Sequence, residues 1–201
     1  WSRNVGPVTT RPQYNETTNR LYVVSEPGTL YSLNPASGLP VWQAPVAGGI
    51  TRDPWAEFRP PYQNYIFLTD TFGNARAFID NGGIGMPAWS VAGPYTTSPA
   101  VSPTTGKMYI GRSDGTLHQL DIPTGAQSGA LALPPQAEIF EPSLDYDGAG
   151  PFIDRLVVVS GLTLKRCALP FVGSSGFMSR DDAIQIVTTQ VIQPNPYEPI
   201  L

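Results

Sequence analysis

The chain offers few side chains whose type and spacing could support catalysis. His118 is the only histidine and Cys167 the only cysteine in 201 residues, so a histidine pair and an internal disulfide are both excluded. The sequence contains no Gly-x-Ser-x-Gly elbow, no phosphate-binding loop and no His/Cys cluster. We therefore predict that His118 is a surface or inter-sheet side chain, that Cys167 is a small buried apolar residue, and that no residue is catalytic. Asp181 and Asp182 follow Arg180, and this trio is typical of a solvated charge cluster.

Charge and hydropathy exclude two classes of partner. Only 14% of the residues are charged and the net charge is −4, so the chain has no basic face that could neutralise a nucleic-acid backbone. No apolar run is long enough to cross a bilayer as a helix. The chain opens at Trp1 without a basic segment or an initiator Met, and we expect a processed product or an excised fragment.

The polar composition favours an exported protein. Low charge, many Thr, Ser and Gln residues and the sequon Asn15-Glu16-Thr17 together predict an extracellular, periplasmic or cell-envelope location. The sequon falls in an expected hairpin turn. Asn15 is therefore a candidate glycosylation site in a source that glycosylates.

The chain repeats itself. Residues 5–38 recur without a gap as residues 92–125, with 13 of 34 pairs identical, and a more degenerate copy lies between them. The unit is therefore about 40 to 45 residues, a length typical of four-stranded β-propeller blades. We predict an all-β propeller of about four antiparallel blades within residues 1–172. The expected units cover residues 5–47, 48–91, 92–134 and 135–172, and residues 173–201 form a C-terminal extension.

Tryptophans mark the outermost strand of each unit. Trp42 and Trp89 occupy the same place in two units, and we predict that each ring docks structurally into the next blade. Trp1-Ser2 matches Trp89-Ser90, so residues 1–4 are expected to be the missing last strand of the fourth unit, closing the ring. In the extension, the β-branched run at 183–192 predicts a strand that packs on its own propeller or pairs with another subunit.

The segments GTLYSLNPASGLPVW, GTLHQLDIPTG and GNARAFIDNGGIGMPAW resemble the repeat of quinoprotein-like (PQQ-repeat) propellers. That family includes dehydrogenases carrying pyrroloquinoline quinone and noncatalytic members such as outer-membrane assembly lipoproteins. The resemblance implies the fold more than the activity. The vicinal cysteine pair of the enzymes is impossible with Cys167 alone, and four blades leave a narrower channel than cofactor-bearing members have.

The fourth unit has a second resemblance. Its segment DYDGAGPFIDRLVVVSGLTLKRCAL is similar to calcium-binding hairpins in propellers of type IV pilus tip adhesins. The resemblance implies Asp145, Asp147 and Asp154 as calcium ligands, because alternate acidic oxygens suit a hard cation. Ala149 departs from the pattern, and the inserted Pro151 lengthens the spacing, so a metal-free turn is the alternative.

These observations predict a noncatalytic exported propeller that acts as a structural or protein-interaction module. We expect no cofactor other than calcium, and a protein partner or self-association through the C-terminal segment. The alternative is part of a PQQ-dependent quinoprotein dehydrogenase with seven or eight blades. Two chains of four blades could also form an eight-bladed ring.

Overall fold

The computed structural model describes residues 1–133 except Pro27 and Thr51, together with residues 139–146, 154–160 and 163–169. These residues form antiparallel strands and no helix. The expected strand at 183–192 lies outside them.

The strands assemble into four consecutive sheets. Sheet 1 contains β1 (Gln13–Asn15), β2 (Arg20–Ser25), β3 (Thr29–Leu33) and β4 (Pro40–Pro45). Sheet 2 contains β5 (Trp55–Ala56), β6 (Tyr65–Thr69), β7 (Ala75–Asp80) and β8 (Gly85–Val91). Sheet 3 contains β9 (Ala100–Ser102), β10 (Lys107–Gly111), β11 (Thr116–Asp121) and β12 (Gln127–Ala132). Sheet 4 contains β13 (Ile139–Tyr146), β14 (Asp154–Ser160) and β15 (Thr163–Ala168).

Each sheet is an antiparallel meander whose strands lie side by side in chain order. The pairing Tyr22↔Ser32 in sheet 1 recurs as Phe67↔Ala77 in sheet 2 and as Tyr109↔Gln119 in sheet 3. The repeated sequence therefore produces a repeated register.

The core lies between the sheets because the second strand of each sheet is apolar on both faces. Ile66 and Leu68 pack against sheet 1, whereas Phe67, between them, packs against sheet 3. In the same way Met108 faces sheet 2 and Tyr109 faces sheet 4. Alternation with a period of two thus lets one strand contribute to two cores.

The turns need glycine where the backbone enters the left-handed region. Gly38 and Gly125 have φ angles of +69° and +70° in the turns before β4 and β12. A side chain would be strained at both positions.

The expected strand at residues 1–4 is not formed. Residues 1–12 contain no strand, and within the described residues sheet 4 consists of β13, β14 and β15 alone. Trp1 is held by sheet 1, where its indole Nε1 donates a hydrogen bond to the Pro35 carbonyl oxygen. The pairing of residues 1–4 with sheet 4 stays a prediction.

Candidate functional site

The tryptophan of one sheet lies on a glycine turn of the next sheet. Trp89 in β8 donates a 2.7 Å hydrogen bond from Nε1 to the carbonyl oxygen of Ile122 in sheet 3. A Cβ atom added to Gly125 would lie only 2.7 Å from Cδ2 of the same indole. Glycine at this turn is what lets the flat ring approach the backbone.

Trp42 makes the equivalent contact between sheets 1 and 2. A Cβ atom on Gly85 would lie 2.3 Å from Cζ3 of Trp42. Within its own sheet, Trp42 lies 6.0 Å from Tyr22 at 41° between the ring planes, and Trp89 has the same distance and angle to Phe67. The two docking units are therefore geometrically alike.

Trp1 relates to sheet 1 as Trp89 relates to sheet 3. Its Nε1 donates a 2.8 Å hydrogen bond to Pro35 O, and a Cβ on Gly38 would lie 2.2 Å from its Cε3. The side chain remains 63% exposed. Trp1 thus lies where the tryptophan of a sheet preceding sheet 1 would lie.

One end of the sheets is cross-linked by a recurring backbone hydrogen bond. In an antiparallel meander, the turn between the second and third strands lies at the same end as the linker that enters the sheet. In sheets 1, 2 and 3, a backbone N–H of this turn donates a hydrogen bond to a carbonyl oxygen of the linker. The pairs are Glu26 N to Pro7 O at 2.9 Å, Thr71 N to Gly49 O at 3.1 Å and Ser113 N to Pro94 O at 3.1 Å. We call these turns and linkers the turn end.

Phe72 projects from the turn end. It lies at the tip of the β6–β7 turn with 69% of its surface exposed. A Cβ on Gly48 would lie 2.8 Å from its Cε2. The ring therefore covers the linker between sheets 1 and 2 with one side and presents the remainder to solvent.

His118 lies in β11 with 7% of its surface exposed. Its Nδ1 is 3.3 Å from the Tyr95 hydroxyl, and its Nε2 is 3.2 Å from Nη1 of Arg112. Burial first, and the Arg112 charge second, lower the pKa of His118 below its ordinary value of 6.5, while Asp114 partly offsets them. These groups enclose a neutral imidazole next to the linker and turn of its own sheet, and a non-catalytic role for His118 stays a prediction.

Three buried carboxylates are engaged by groups of the chain itself. Glu57, with no exposed surface, accepts hydrogen bonds from Nε of Arg59 at 2.8 Å and from Nε1 of Trp55 at 3.1 Å. Arg59 also donates from Nη2 to Val101 O at 3.1 Å. The Glu57–Arg59 pair thereby joins sheet 2 to sheet 3.

Asp70 and Asp80 have similar structural roles. Asp70 pairs with Arg76 at 2.7 Å. Burial alone would raise the pKa of Asp70, but the hydrogen bonds from Asn74 and Arg76 outweigh it and hold the pKa below its ordinary value. Asp80 accepts a 2.7 Å hydrogen bond from the Tyr22 hydroxyl in sheet 1. Burial is the main cause that raises the pKa of Tyr22, and the hydrogen bond to Asp80 raises it further.

A small hollow lies beside the first strands of sheets 2, 3 and 4. It has a volume of about 100 Å³ and is lined by Trp55, Ala100, Pro142, Ser143 and Leu144. The lining carries no carboxylate, amide or basic side chain. It therefore suits an apolar group better than an ion.

The calcium ligands implied by the pilus-adhesin resemblance lie at the β13–β14 hairpin. Asp145 is in β13 and Asp154 opens β14, where it pairs with Tyr146. Asp147 and the rest of the hairpin fall outside the described residues. No group of three potential ligands from His, Cys, Asp and Glu occurs in the described part of the chain, and calcium binding stays a prediction.

Asn15, the candidate glycosylation site, is buried between sheets 1 and 2. The residue has no exposed surface, and its Nδ2 donates hydrogen bonds to Glu57 O at 2.8 Å and to Gln63 O at 2.9 Å. A glycan on this nitrogen would displace both bonds and separate sheets 1 and 2. The structure therefore gives Asn15 an inter-sheet role, and this burial argues against the glycosylation expectation.

The remaining candidates are placed as follows. Cys167 lies in β15 and pairs with Leu156 of β14. The charge cluster at 180–182 lies outside the described residues.

Comparison with solved structures identifies the architecture. A scan of protein-family models and a search of curated proteins both find no match. BamB from Moraxella catarrhalis superposes with a TM-score of 0.62 at 17% identity, covering 84% of this chain and 48% of that one. The Myceliophteria thermophila Cps50 (Swd1) β-propeller domain gives 0.65 at 13% identity, covering 81% and 54%. The C-terminal WD40 domain of Sif2 gives 0.60 at 12% identity, covering 91% and 46%.

The fold is a β-propeller. The four sheets are its blades, and the prediction of an all-β propeller with four-stranded antiparallel blades is confirmed. This chain spans about half the length of the three similar chains. In the part that the structure describes, no helix is long and apolar enough to cross a membrane. Membership of the PQQ-repeat family and similarity to pilus adhesins stay predictions.

Proposed function

We propose that this propeller is a noncatalytic exported module that binds a protein partner through its turn end. The observation that carries the proposal is the linker-to-turn hydrogen bond that recurs in blades 1, 2 and 3. Turns fixed in this way lose little conformational entropy when a partner binds, which favours affinity. The propeller domains similar in structure make such a role reasonable at the level of fold.

Phe72 is the proposed centre of this surface. A large aromatic ring that is 69% exposed, yet held against a linker at Gly48, has the properties of an interface anchor. It needs little ordering on binding because its position is already set.

The buried ionisable groups support binding in preference to catalysis. Glu57, Asp70 and Asp80 are each held by several donors of the chain. Their hydrogen bonds join blades or fix turns, so removing one would damage the fold. They are therefore poor candidates for proton transfer to a substrate.

The hollow beside Trp55 gives the quinoprotein alternative no support. Pyrroloquinoline quinone needs flat enclosing surfaces, a cation held by acidic and amide groups, and a carboxylate base. The hollow beside Trp55 is about 100 Å³ and lacks acidic and amide side chains in its lining. We accordingly derive no step through this cofactor.

Export and assembly complete the proposal. We place the protein outside the cell, in the periplasm or in the cell envelope, on the basis of its low charge and polar composition. The C-terminal segment at 173–201 is proposed to extend an assembly by strand pairing with another subunit. Deleting the residues after Val172 is expected to remove this association and preserve the fold.

The central test compares two exposed apolar residues at opposite ends of blade 2. Phe72 lies at the turn end, and Ile84, which is 57% exposed, lies in the β7–β8 turn at the other end. Immobilised wild-type protein and the variants Phe72→Ala and Ile84→Ala are exposed to secreted and envelope proteins of the source. We expect a protein retained by the wild type and Ile84→Ala but lost with Phe72→Ala.

Two results would contradict the proposal. Equal retention by all three proteins would remove the turn end from the interaction. Dye reduction after addition of pyrroloquinoline quinone and calcium would establish an enzyme. We expect no absorbance change and no shift in melting temperature with the quinone.

A further inference from the structure

The hollow beside Trp55 lies between two apolar cores. Trp55 packs against the core between blades 2 and 3, whereas Ala100 and Leu144 contribute to the core between blades 3 and 4. All five lining residues belong to the first strands of blades 2, 3 and 4. Because the surrounding cores are closely packed, the walls cannot collapse into the space without disturbing them. The hollow is therefore a preformed feature of the fold.

A difference between equivalent positions leaves the space open. Trp55 pairs with Phe67 in blade 2, and Ala100 pairs with Tyr109 in blade 3. Phe67 and Tyr109 are equivalent in register. Ala100 thus stands where blade 2 carries Trp55, and the smaller side chain leaves room beside β13.

The first strand of blade 4 is irregular at the hollow. The pairing of β13 with β14 shifts between Phe140 and Ser143, and Pro142, which lines the hollow, lies within that shift. A β-bulge re-aims the side chains of its strand, and proline is tolerated there because it has no N–H to pair. β13 therefore forms a wall to which Pro142 adds no backbone donor.

The lining side chains are almost entirely apolar. The indole Nε1 of Trp55 donates its hydrogen to Glu57 Oε2 at 3.1 Å, so this ring offers the hollow its carbon surface. Among the described residues of the lining, Ser143 alone carries a hydroxyl, and it is exposed. A well-held water needs roughly two to four polar partners. Water is therefore held weakly in the hollow, and an apolar group that displaces it gains affinity.

Volume and charge limit what can bind. An apolar cavity of about 150 Å³ holds benzene, so the hollow of about 100 Å³ fits a compact body of about four carbon atoms. None of its lining side chains carries a charge. A charged ligand would lose its hydration there without gaining a partner.

We propose that this hollow binds a small neutral molecule with a compact apolar body of about four carbon atoms and one hydroxyl or carbonyl group. The apolar body occupies the space beside Trp55 and Leu144, and the polar group lies toward the exposed Ser143. This site goes beyond the proposed protein-binding function, because it uses no residue of the turn end.

The first test is a titration of the 201-residue chain with isobutanol, followed through the indole N–H signals in NMR spectra. The chain has four tryptophans, and Trp55→Phe assigns the signal of Trp55. We expect that signal to shift saturably, with a dissociation constant in the millimolar range. Trp1, Trp42 and Trp89 are internal controls in the same sample, and their signals should move little.

Matched ligands test the chemistry of the site. Isobutyrate and isobutylammonium have the same branched carbon skeleton as isobutanol but are charged at pH 7. Each should bind about tenfold more weakly or worse, because the lining offers a charge no partner. Equal affinity of a charged analogue would contradict the proposed ligand class.

Matched variants test the location. Ala100→Leu fills the hollow and should weaken isobutanol binding about tenfold or more. Ala36→Leu, the same change in an exposed turn, should leave binding unchanged. Because a larger residue in a core can also disturb the fold, Ser143→Leu is the second variant. It obstructs the hollow from an exposed position and should weaken binding to a similar extent.

Three outcomes overturn the proposal. One is the absence of a saturable shift at Trp55. Another is a shift of all four indole signals in proportion to the isobutanol concentration, which indicates a general solvent effect. The third is unchanged binding in both Ala100→Leu and Ser143→Leu, which places the isobutanol elsewhere.

This proposal and the proposed function fail separately. Phe72→Ala should bind isobutanol as the wild type does, because Phe72 lies at the turn end and not in the lining of the hollow. A wild type that retains a protein partner but shows no saturable isobutanol shift would overturn only the small-molecule site.

Discussion

The indole Nε1 of Trp89 lies 2.7 Å from the carbonyl oxygen of Ile122, one blade further along the chain. Trp1 makes the same bond to Pro35 at 2.8 Å. Trp42 keeps the ring position, but its Nε1 has no hydrogen-bond partner among the described residues. The repeat therefore provides a natural comparison between a docked indole with the bond and one without it.

We predict that Trp89→Phe destabilises the protein more than Trp42→Phe does. Both changes replace an indole with a smaller phenyl ring. Only Trp89→Phe also removes a hydrogen bond, and it leaves the Ile122 carbonyl oxygen without that donor. The difference in unfolding free energy should be about 1 kcal/mol, measured by urea denaturation. Equal losses would show that ring packing alone decides the contribution of these tryptophans.

Glycine at the start of the fourth strand of blade 2 is predicted to be required for space. Gly85→Ala would place a Cβ 2.3 Å from the Trp42 ring, whereas Gly83→Ala meets nothing within 4 Å. Neither glycine has a positive φ, so the pair isolates packing from backbone strain. We expect a loss of about 1 to 3 kcal/mol for Gly85→Ala and little change for Gly83→Ala. Thermal unfolding of both variants measures this difference, and similar melting temperatures would contradict it.

His118 should make the fold sensitive to mild acid. Because burial and Arg112 lower its pKa below 6.5, the unfolded chain binds a proton there at a higher pH than the folded chain does. Stability is therefore unaffected above about pH 7 and falls as the pH drops through 6.5 toward the lower folded pKa. The slope contributed by one such proton is at most about 1.4 kcal/mol per pH unit.

His118→Gln should remove this contribution. The difference in unfolding free energy between wild type and variant is measured from pH 7.5 to pH 5. We expect it to change in the variant's favour as the pH falls. A constant difference across this range would mean that His118 titrates alike in both states.

Asn15 is predicted to stabilise the junction of blades 1 and 2 and to carry no glycan. Asn15→Ala leaves the carbonyl oxygens of Glu57 and Gln63 without their donor, at a cost of about 1 to 3 kcal/mol. In a glycosylating host, deglycosidase treatment should not change the electrophoretic mobility of the wild type. Thr17→Ala, which removes the sequon but keeps Asn15, should migrate like the wild type. Faster migration of that variant would show that the site is used.

The sequence repeat predicts the structural features that recur in each blade. Thr29–Leu33 and Thr116–Asp121 are third strands because Gly28 and Gly115 end the preceding turn in both copies. Pro7 and Pro94, identical in the two copies, both supply the carbonyl of the linker-to-turn bond. Positions that recur could be read from the sequence because one backbone geometry imposes the same requirement on each unit.

Features that occur once could not be read in this way. Arg59 has no repeated counterpart in the other units, so the sequence does not predict its hydrogen bond to Val101. Its ion pair with Glu57 depends on the local backbone conformation, which the sequence also does not show. Trp1 aligns with Trp89 in the sequence and docks on a glycine turn in the same way, but the alignment does not show which strands lie beside Trp1. Alignment of repeat units therefore predicts the place of a residue within its blade, but it does not predict contacts with residues distant in the sequence.

The opposed packing of Ile66 and Phe67 has an evolutionary consequence. Each blade carries one surface fitted to its predecessor and another fitted to its successor, so duplicating a whole unit creates a junction that already fits. Ancestral lineages could then change ring size by recombination at unit boundaries, without inventing a new core each time.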